Sequence, residues 1–303
     1  MKIKESINPD YRVLLPELEP GAETFDLNTK QKKSLLNKNG PHRAAPLDKK
    51  VPVHEQASTC GALVDIYPDA ISIGGVLGSD YERGNIAFGA WMMIVLTAIN
   101  LYGASVFGIA SLVTWFFSMP VVLFLSLVTV YLFKMAYFAP KDTPVIFNKK
   151  TRSVVFSQFQ LPNFWKVWLP MGFSKPITVP WATIQARSYK FTQYMGATLR
   201  DSYRLEIWAP DPDYPSRLLV KEPIGYMGSY EDEKLWRLYE HIRRYMEEGG
   251  SAIQNGETLR QPGRGRCYTP FPDSVFATVG GEPLSADEVK HLAENTPTQH
   301  THC

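Results

Sequence analysis

His300, His302 and Cys303 form the sequence His-Thr-His-Cys, the one spacing in this chain whose side chains match the donor set of a soft divalent metal. A closed structural site needs a fourth ligand on a fixed frame, and the stretch offers three ligands and no frame, so the expectation is no metal. His54 stands beside Glu55, as a general base and its orienting carboxylate would. The surrounding stretch is polar, and the pair reads as surface residues. His241 lies within a helical pattern with Arg243 and Arg244 nearby, and reads as a solvated or half-buried structural residue. Phosphate loops (GxxxxGK[ST]), dinucleotide turns (GxGxxG), zinc-protease helices (HExxH) and nucleophile elbows (GxSxG) are absent from the sequence. The chemistry-bearing residues thus predict no enzyme, no cofactor, no metal and no small-molecule substrate.

The element that does speak is a run without chemistry. Gly84 to Phe133 is fifty residues with no charged side chain. An ionised group is costly in hydrocarbon, so such a run marks a lipid-embedded segment. As one straight helix it would measure roughly 75 Å against a core of about 30 Å, and it must fold back. Asn100, Gly103, Ser105 and Gly108 weaken the apolar pattern in the middle, which predicts one helix over Ile86 to Val106 and a second over Leu112 to Phe133. Gly89, Ala90, Gly103 and Ala104 are small enough to let the two touch. Pro120 reads as a tolerated kink, or as a harmless first-turn residue if the second helix starts near Phe117.

Lys134, Lys141, Lys149, Lys150 and Arg152 follow the run closely, whereas only Arg83 precedes it within twenty residues. The positive-inside rule then places the C-terminal part in the cytoplasm, and a hairpin puts the N-terminal part on the same side. Met1 to Lys50 is polar, with no apolar stretch long enough for a signal peptide. Cys60, Cys267 and Cys303 form no close pair, as expected of a reducing compartment.

The whole chain is nearly neutral, with 32 basic and 30 acidic residues, while Lys134 to Gly250 carries 17 basic against 12 acidic. That excess suits a domain beside an anionic leaflet and is too dispersed for nucleic acid. Residues 1–60 read as a polar, loosely ordered arm. Residues 61–85 read as a β-hairpin, Ala62 to Ile66 and Ala70 to Ile73 around Tyr67-Pro68-Asp69, able to join a later sheet. Residues 86–134 are the transmembrane hairpin, and 135–250 a cytoplasmic β-rich domain. Its strands are expected over Val145 to Ser157 as a hairpin, then Ile177 to Trp181, Ile184 to Tyr194, Tyr203 to Trp208 and Arg217 to Lys221. A helix capped by Ser229 follows, with Leu235, Leu238, Tyr239, Ile242 and Met246 on one apolar face. Residues 251–303 read as a mobile tail in which Ser285 and Glu288 form a capping box. The fold class expected is an α+β membrane protein: a two-helix transmembrane hairpin plus an antiparallel, pleckstrin-homology-like β domain with a C-terminal helix.

Two groups are candidates to touch the membrane surface: the cations Lys141, Lys149, Lys150 and Arg152, and the rings Trp165 and Trp168 within Phe-Trp-Lys-Val-Trp-Leu-Pro-Met.

The charge-free hairpin, then TPVIFNKKTRSVVF (Thr143 to Phe156), then VPWATI (Val179 to Ile184), resembles a bacterial domain-of-unknown-function family numbered 6708. The resemblance covers roughly Ala62 to Gly249. It implies a two-span protein of the bacterial inner membrane that accompanies effectors of the type VI secretion system, as an immunity or accessory protein whose partner is a secreted effector or toxin. It supplies no catalytic residues. The alternative is a membrane-tethered pleckstrin-like module that reads lipid head groups or a cytoplasmic protein.

Overall fold

The computed structural model describes residues 12–21, 25–33, 40–75, 80–108, 112–138, 142–160, 163–169, 172–194, 198–229, 232–260 and 271–297. Its elements follow from local pattern. A single helical turn, α1 (Thr29–Lys33), precedes a two-residue strand β1 (Arg43–Ala44). The Tyr67-Pro68-Asp69 turn joins β2 (Leu63–Ile66) to β3 (Ala70–Ile73). Two long apolar helices come next, α2 (Asp80–Gly108) and α3 (Leu112–Tyr137). Asn148 then closes the turn between β4 (Val145–Asn148) and β5 (Ser153–Phe156), its Oδ1 accepting from the amides of Lys150 and Thr151 at 3.0 Å each. A small ribbon, β6 (Phe159–Gln160) with β7 (Gly172–Phe173), is followed by β8 (Ile177–Pro180), β9 (Gln185–Tyr194), β10 (Leu199–Pro210) and β11 (Leu218–Ser229). The helices α4 (Glu233–Glu247), α5 (Asp273–Thr278) and α6 (Ala286–Asn295) complete the order.

The strands form a five-stranded sheet, β2-β3-β4-β5-β8, and a four-stranded sheet, β1-β9-β10-β11, every pair antiparallel. A bridge between Gly75 and Ile224 connects them. Val145, Phe147, Val154, Phe156, Ile207 and Ile224 from the two sheets share one core with Leu235, Trp236, Leu238, Tyr239 and Ile242 of α4. The amphipathic face read from the sequence therefore covers sheet, as expected. The fold is α+β.

β3 and β4 are neighbours, with Ile73 opposite Val145 and Ala70 opposite Asn148. The chain between those strands is the apolar helix pair. The pair is thus a long insertion into what is otherwise a β-hairpin, and the sheet domain is assembled from both sides of it.

Three expectations need correction. Residues 12–21 and 40–60 are docked on the domain: Leu15, Ala45, Val53 and Ala57 are buried, and the Ala45 amide donates to Ala186 O at 2.8 Å. Isolated apolar residues between prolines and lysines leave no period to read. Residues 251–260 and 271–297 are likewise built in, with Ile253, Val279, Val289 and Ala293 buried and the Ser285–Glu288 capping box formed. Ser229 is the last residue of β11, and Asp232 precedes α4 without a side-chain capping bond. Asp232 Oδ2 instead accepts from Arg43 Nε at 2.9 Å. The carboxylate that propensity would assign to a helix start is spent on a long-range pair.

Candidate membrane interface

Asn85–Val106 of α2 and Phe116–Tyr137 of α3 are long and apolar enough to cross a bilayer, with mean hydropathies of 1.7 and 2.2. Their large side chains point outward: Phe88, Phe116, Phe117 and Leu123 are all exposed. That is the reverse of a soluble core helix. Thr97, Asn100, Ser105 and Thr129 each return their polar side chains to a carbonyl three or four residues earlier, at 2.7 to 3.2 Å, leaving those donors satisfied without water. Ala90 and Ala104 are buried where the helices meet, and Trp91 meets Phe133 edge to face at 5.5 Å. Gly103 has open space beside its Cα and takes no part in that contact. Because α3 begins at Leu112, Pro120 lies in its interior, where it removes one helical hydrogen bond.

At the foot of the hairpin an acidic residue holds both ends of the insertion. The Gly75 amide donates to Asp142 Oδ1 at 2.5 Å, and Arg260 Nη1 donates to Asp142 Oδ2 at 2.8 Å and to Gly75 O at 3.0 Å. The Arg260 guanidinium also lies 4.9 Å from the centre of the Tyr226 ring, whose hydroxyl donates to Gly61 O at 2.6 Å. A Cβ at position 74 would overlap the ends of the Arg260 and Asp142 side chains, so a larger residue there would displace the clamp. Burial pushes the Asp142 carboxyl up to about 6, opposed by Arg260 and the Gly75 and Thr143 amides. The sequence did not mark this clamp, because Arg260 stands in a stretch without periodicity.

The two groups of candidate surface residues part company. β6 and β7 pair, with Phe159 and Phe173 rings 5.8 Å apart, and carry between them a 3-10 turn at Phe164–Lys166. Asn163 Oδ1 caps that turn by accepting from the Trp165 amide at 3.0 Å, and the Leu169 amide donates to Lys166 O at 3.0 Å. The Phe164 ring lies 6.0 Å from Phe124 and 5.8 Å from Tyr131, both on α3. Lys134 Nζ, on the same helix, donates to Leu169 O at 2.8 Å. Trp165 and Trp168 are 68% and 69% exposed beside the apolar helix pair.

Lys149, Lys150 and Arg152 sit elsewhere. β4 leaves the helix pair at Val145 and reaches the turn after Asn148, so the turn occupies the end of the strand away from the helices. Its cations have local partners: Lys150 Nζ is 2.9 Å from Asp69 Oδ2, Arg152 Nη2 is 2.5 Å from Glu247 Oε1, and Lys149 Nζ is 5.1 Å from the centre of the Tyr245 ring. Arg152 also donates to Met246 O at 2.9 Å, near the end of α4, from a backbone with φ of +50°. The turn that carries these three lies a strand's length from the helix pair, whereas Trp165 and Trp168 lie beside α3. Lys141 lies outside the described residues.

The histidine readings also change. His54 is fully buried rather than on the surface. Its Nδ1 lies 2.9 Å from the Gln56 amide and 3.0 Å from Gln56 O, and its Nε2 lies 3.7 Å from Glu233 Oε1. Burial, with Arg237 nearby, pulls its pKa down to about 4. His241 is buried too, Nε2 facing Ala252 O at 3.1 Å and Nδ1 accepting from Gln254 Nε2 at 3.2 Å, and burial lowers its pKa. Both are structural. His300, His302 and Cys303 lie outside the described residues.

What the geometry defines is an antiparallel α+β protein whose sheet is interrupted by two exposed apolar helices, with an aromatic segment folded against one of them. No family model, curated protein or solved structure matches the chain.

Proposed function

We propose that this protein is a non-enzymatic, membrane-anchored binding module of the bacterial inner membrane, acting as an immunity or accessory protein for a type VI secretion effector. The observation that carries the anchoring role is the insertion of the helix pair between adjacent strands β3 and β4, with Asp142 and Arg260 holding its two ends to the sheet. Two antiparallel sheets closed by α4 support a pleckstrin-homology-like reading of the domain. Lys134 at the end of α3 supports cytoplasmic termini. The effector assignment rests on the resemblance of Thr143 to Phe156 and Val179 to Ile184 to the two-span family, and the absence of catalytic motifs agrees with it.

The lipid head-group alternative draws on Lys149, Lys150 and Arg152, whose engagement with Tyr245, Asp69 and Glu247 leaves the protein-partner reading favoured. The test is co-expression with an effector encoded beside this gene. Survival of the host with the protein, and killing without it, is the expected result. Equal killing in both arms sinks the immunity role, and failure of the effector to co-purify sinks the accessory role.

A further inference from the structure

The aromatic segment at 163–169 faces the apolar helices without being covered by them, and its depth along α3 decides what it meets. Phe164 lies between Phe124 and Tyr131, within 6.0 Å of each ring centre. Those residues precede Tyr137, the end of the apolar span, by 13 and 6 positions. At 1.5 Å per residue they stand about 20 and 9 Å inside it. We infer that the segment Asn163–Leu169 is a re-entrant wedge immersed in the acyl-chain region of the near leaflet, a third membrane element beside the two spans. This rests on the membrane reading of α2 and α3.

Three further observations fit the hydrocarbon rather than a protein partner. The surface is continuous with the lipid-facing side of α3, where Phe124 and Leu123 are exposed. Trp165, Trp168 and Leu169 are apolar and 68%, 69% and 48% exposed, with no covering element among the described residues. Irregular backbone beside hydrocarbon needs its polar groups satisfied inside the protein, and several in this segment are. Here the Trp165 amide is capped by Asn163 Oδ1, the Lys166 amide donates to Asn163 O, the Leu169 amide donates to Lys166 O, and Leu169 O accepts from Lys134 Nζ. Lys166 is exposed, and its four-carbon stem lets the ammonium reach back toward the head groups. The paired strands β6 and β7 act as the stalk.

The test places single cysteines in full-length protein carrying Cys60→Ser, Cys267→Ser and Cys303→Ser, labelled with bimane and reconstituted in phosphatidylcholine–phosphatidylglycerol liposomes with or without brominated acyl chains. Val121→Cys reports the span, Trp165→Cys and Trp168→Cys the wedge, and Lys150→Cys the far turn. Both tryptophan sites are exposed, so neither substitution opens the core. Bromolipid is expected to quench the label at Val121, Trp165 and Trp168 at least twofold and to leave Lys150 unchanged. Quenching at Val121 with none at either tryptophan site overturns the wedge while leaving the spans intact. No quenching at Val121 removes the membrane reading itself and the wedge with it. A label at Trp165 or Trp168 that is shielded yet insensitive to bromolipid, and becomes exposed on dilution with empty lipid, assigns the patch to a second copy of the chain and overturns the proposal.

Discussion

The helix pair and α4 obey opposite burial rules. On α2 and α3 the large apolar side chains face out, and Phe116, Phe117 and Leu123 are each at least 64% exposed. On α4 the ionic groups face in: Glu240 is fully buried, and Arg243 donates to it through Nε and Nη2 at 2.9 and 2.7 Å. Glu240 also accepts from the Val53 amide at 3.0 Å and from Arg244 Nε at 2.7 Å, while Arg243 Nη1 donates to Lys49 O at 3.1 Å. These partners hold the Glu240 carboxylate below its ordinary range despite burial, and keep the Arg243 guanidinium charged. The difference teaches that hydropathy reads a helix's solvent rather than its packing. The docked N-terminal stretch is what makes the polar side of α4 an interior.

The hardest test of this contrast removes the insertion. Replacing residues 76–141 with a short Gly-Ser turn is expected to move the chain entirely from the membrane pellet to the soluble fraction, with cooperative unfolding and near-ultraviolet dichroism retained. Because Ile73 already pairs with Val145, the strands need only a tight turn between them. An unfolded or aggregated product would show that the helices stabilise the sheet as well as anchor it.

Next in size is Arg243→Ala, which leaves the Glu240 carboxylate buried with a principal partner gone. A loss of about 3–5 kcal/mol is expected in urea unfolding of the excised domain. The matching truncation Phe117→Ala, on the outward face of α3, should leave the melting temperature of the full chain in detergent nearly unchanged. Comparable losses from both would erase the distinction between the two burial rules.

Acid should act on the soluble side alone. The folded pKa of His54 is lowered to about 4 from an ordinary 6.5, so the unfolded chain binds the proton first as pH falls. The stability associated with neutral His54 is therefore complete above pH 6.5 and lost between 6.5 and about 4, amounting to at most roughly 3 kcal/mol. His54→Gln should flatten the stability-against-pH curve in that window. A slope unchanged by the substitution would assign the acid sensitivity to other groups.

The smallest effect is expected at the basic turn. Lys149→Glu, Lys150→Glu and Arg152→Glu together should leave membrane retention intact and cost each exposed ion pair about 0–1 kcal/mol. Membrane binding of the excised domain that rises with anionic lipid and vanishes in the triple variant would restore the head-group reading.

Local pattern made much of this molecule legible. The charge-free run locates both helices, α3 starting at Leu112 as expected and α2 at Asp80, six residues before Ile86, and the expected strand hairpin at Val145 to Ser157 is β4 with β5. The expected strand Arg217 to Lys221 is too short, since β11 continues to Ser229 through Pro223 and Gly225. Gly225, at φ of +79°, lets the strand bend where its amide donates to Gly74 O at 2.8 Å. Of the candidate interface, the tryptophan segment could be named from composition, but its contact with α3 could not. Nothing in the spacing of Phe164 and Phe124 announces that they meet.

From the sequence alone came the apolar run, its need to fold back, the alternation that makes strands and the amphipathic face of α4. Each depends on neighbours within one or two turns. Tertiary structure decided that β3 and β4 close around the insertion, that Arg43 and Asp232 pair across 189 positions, and that the basic turn points away while Trp165 and Trp168 lie beside the helices. Those outcomes depend on strand order and direction, which couple residues far apart in the chain and leave no local period to read.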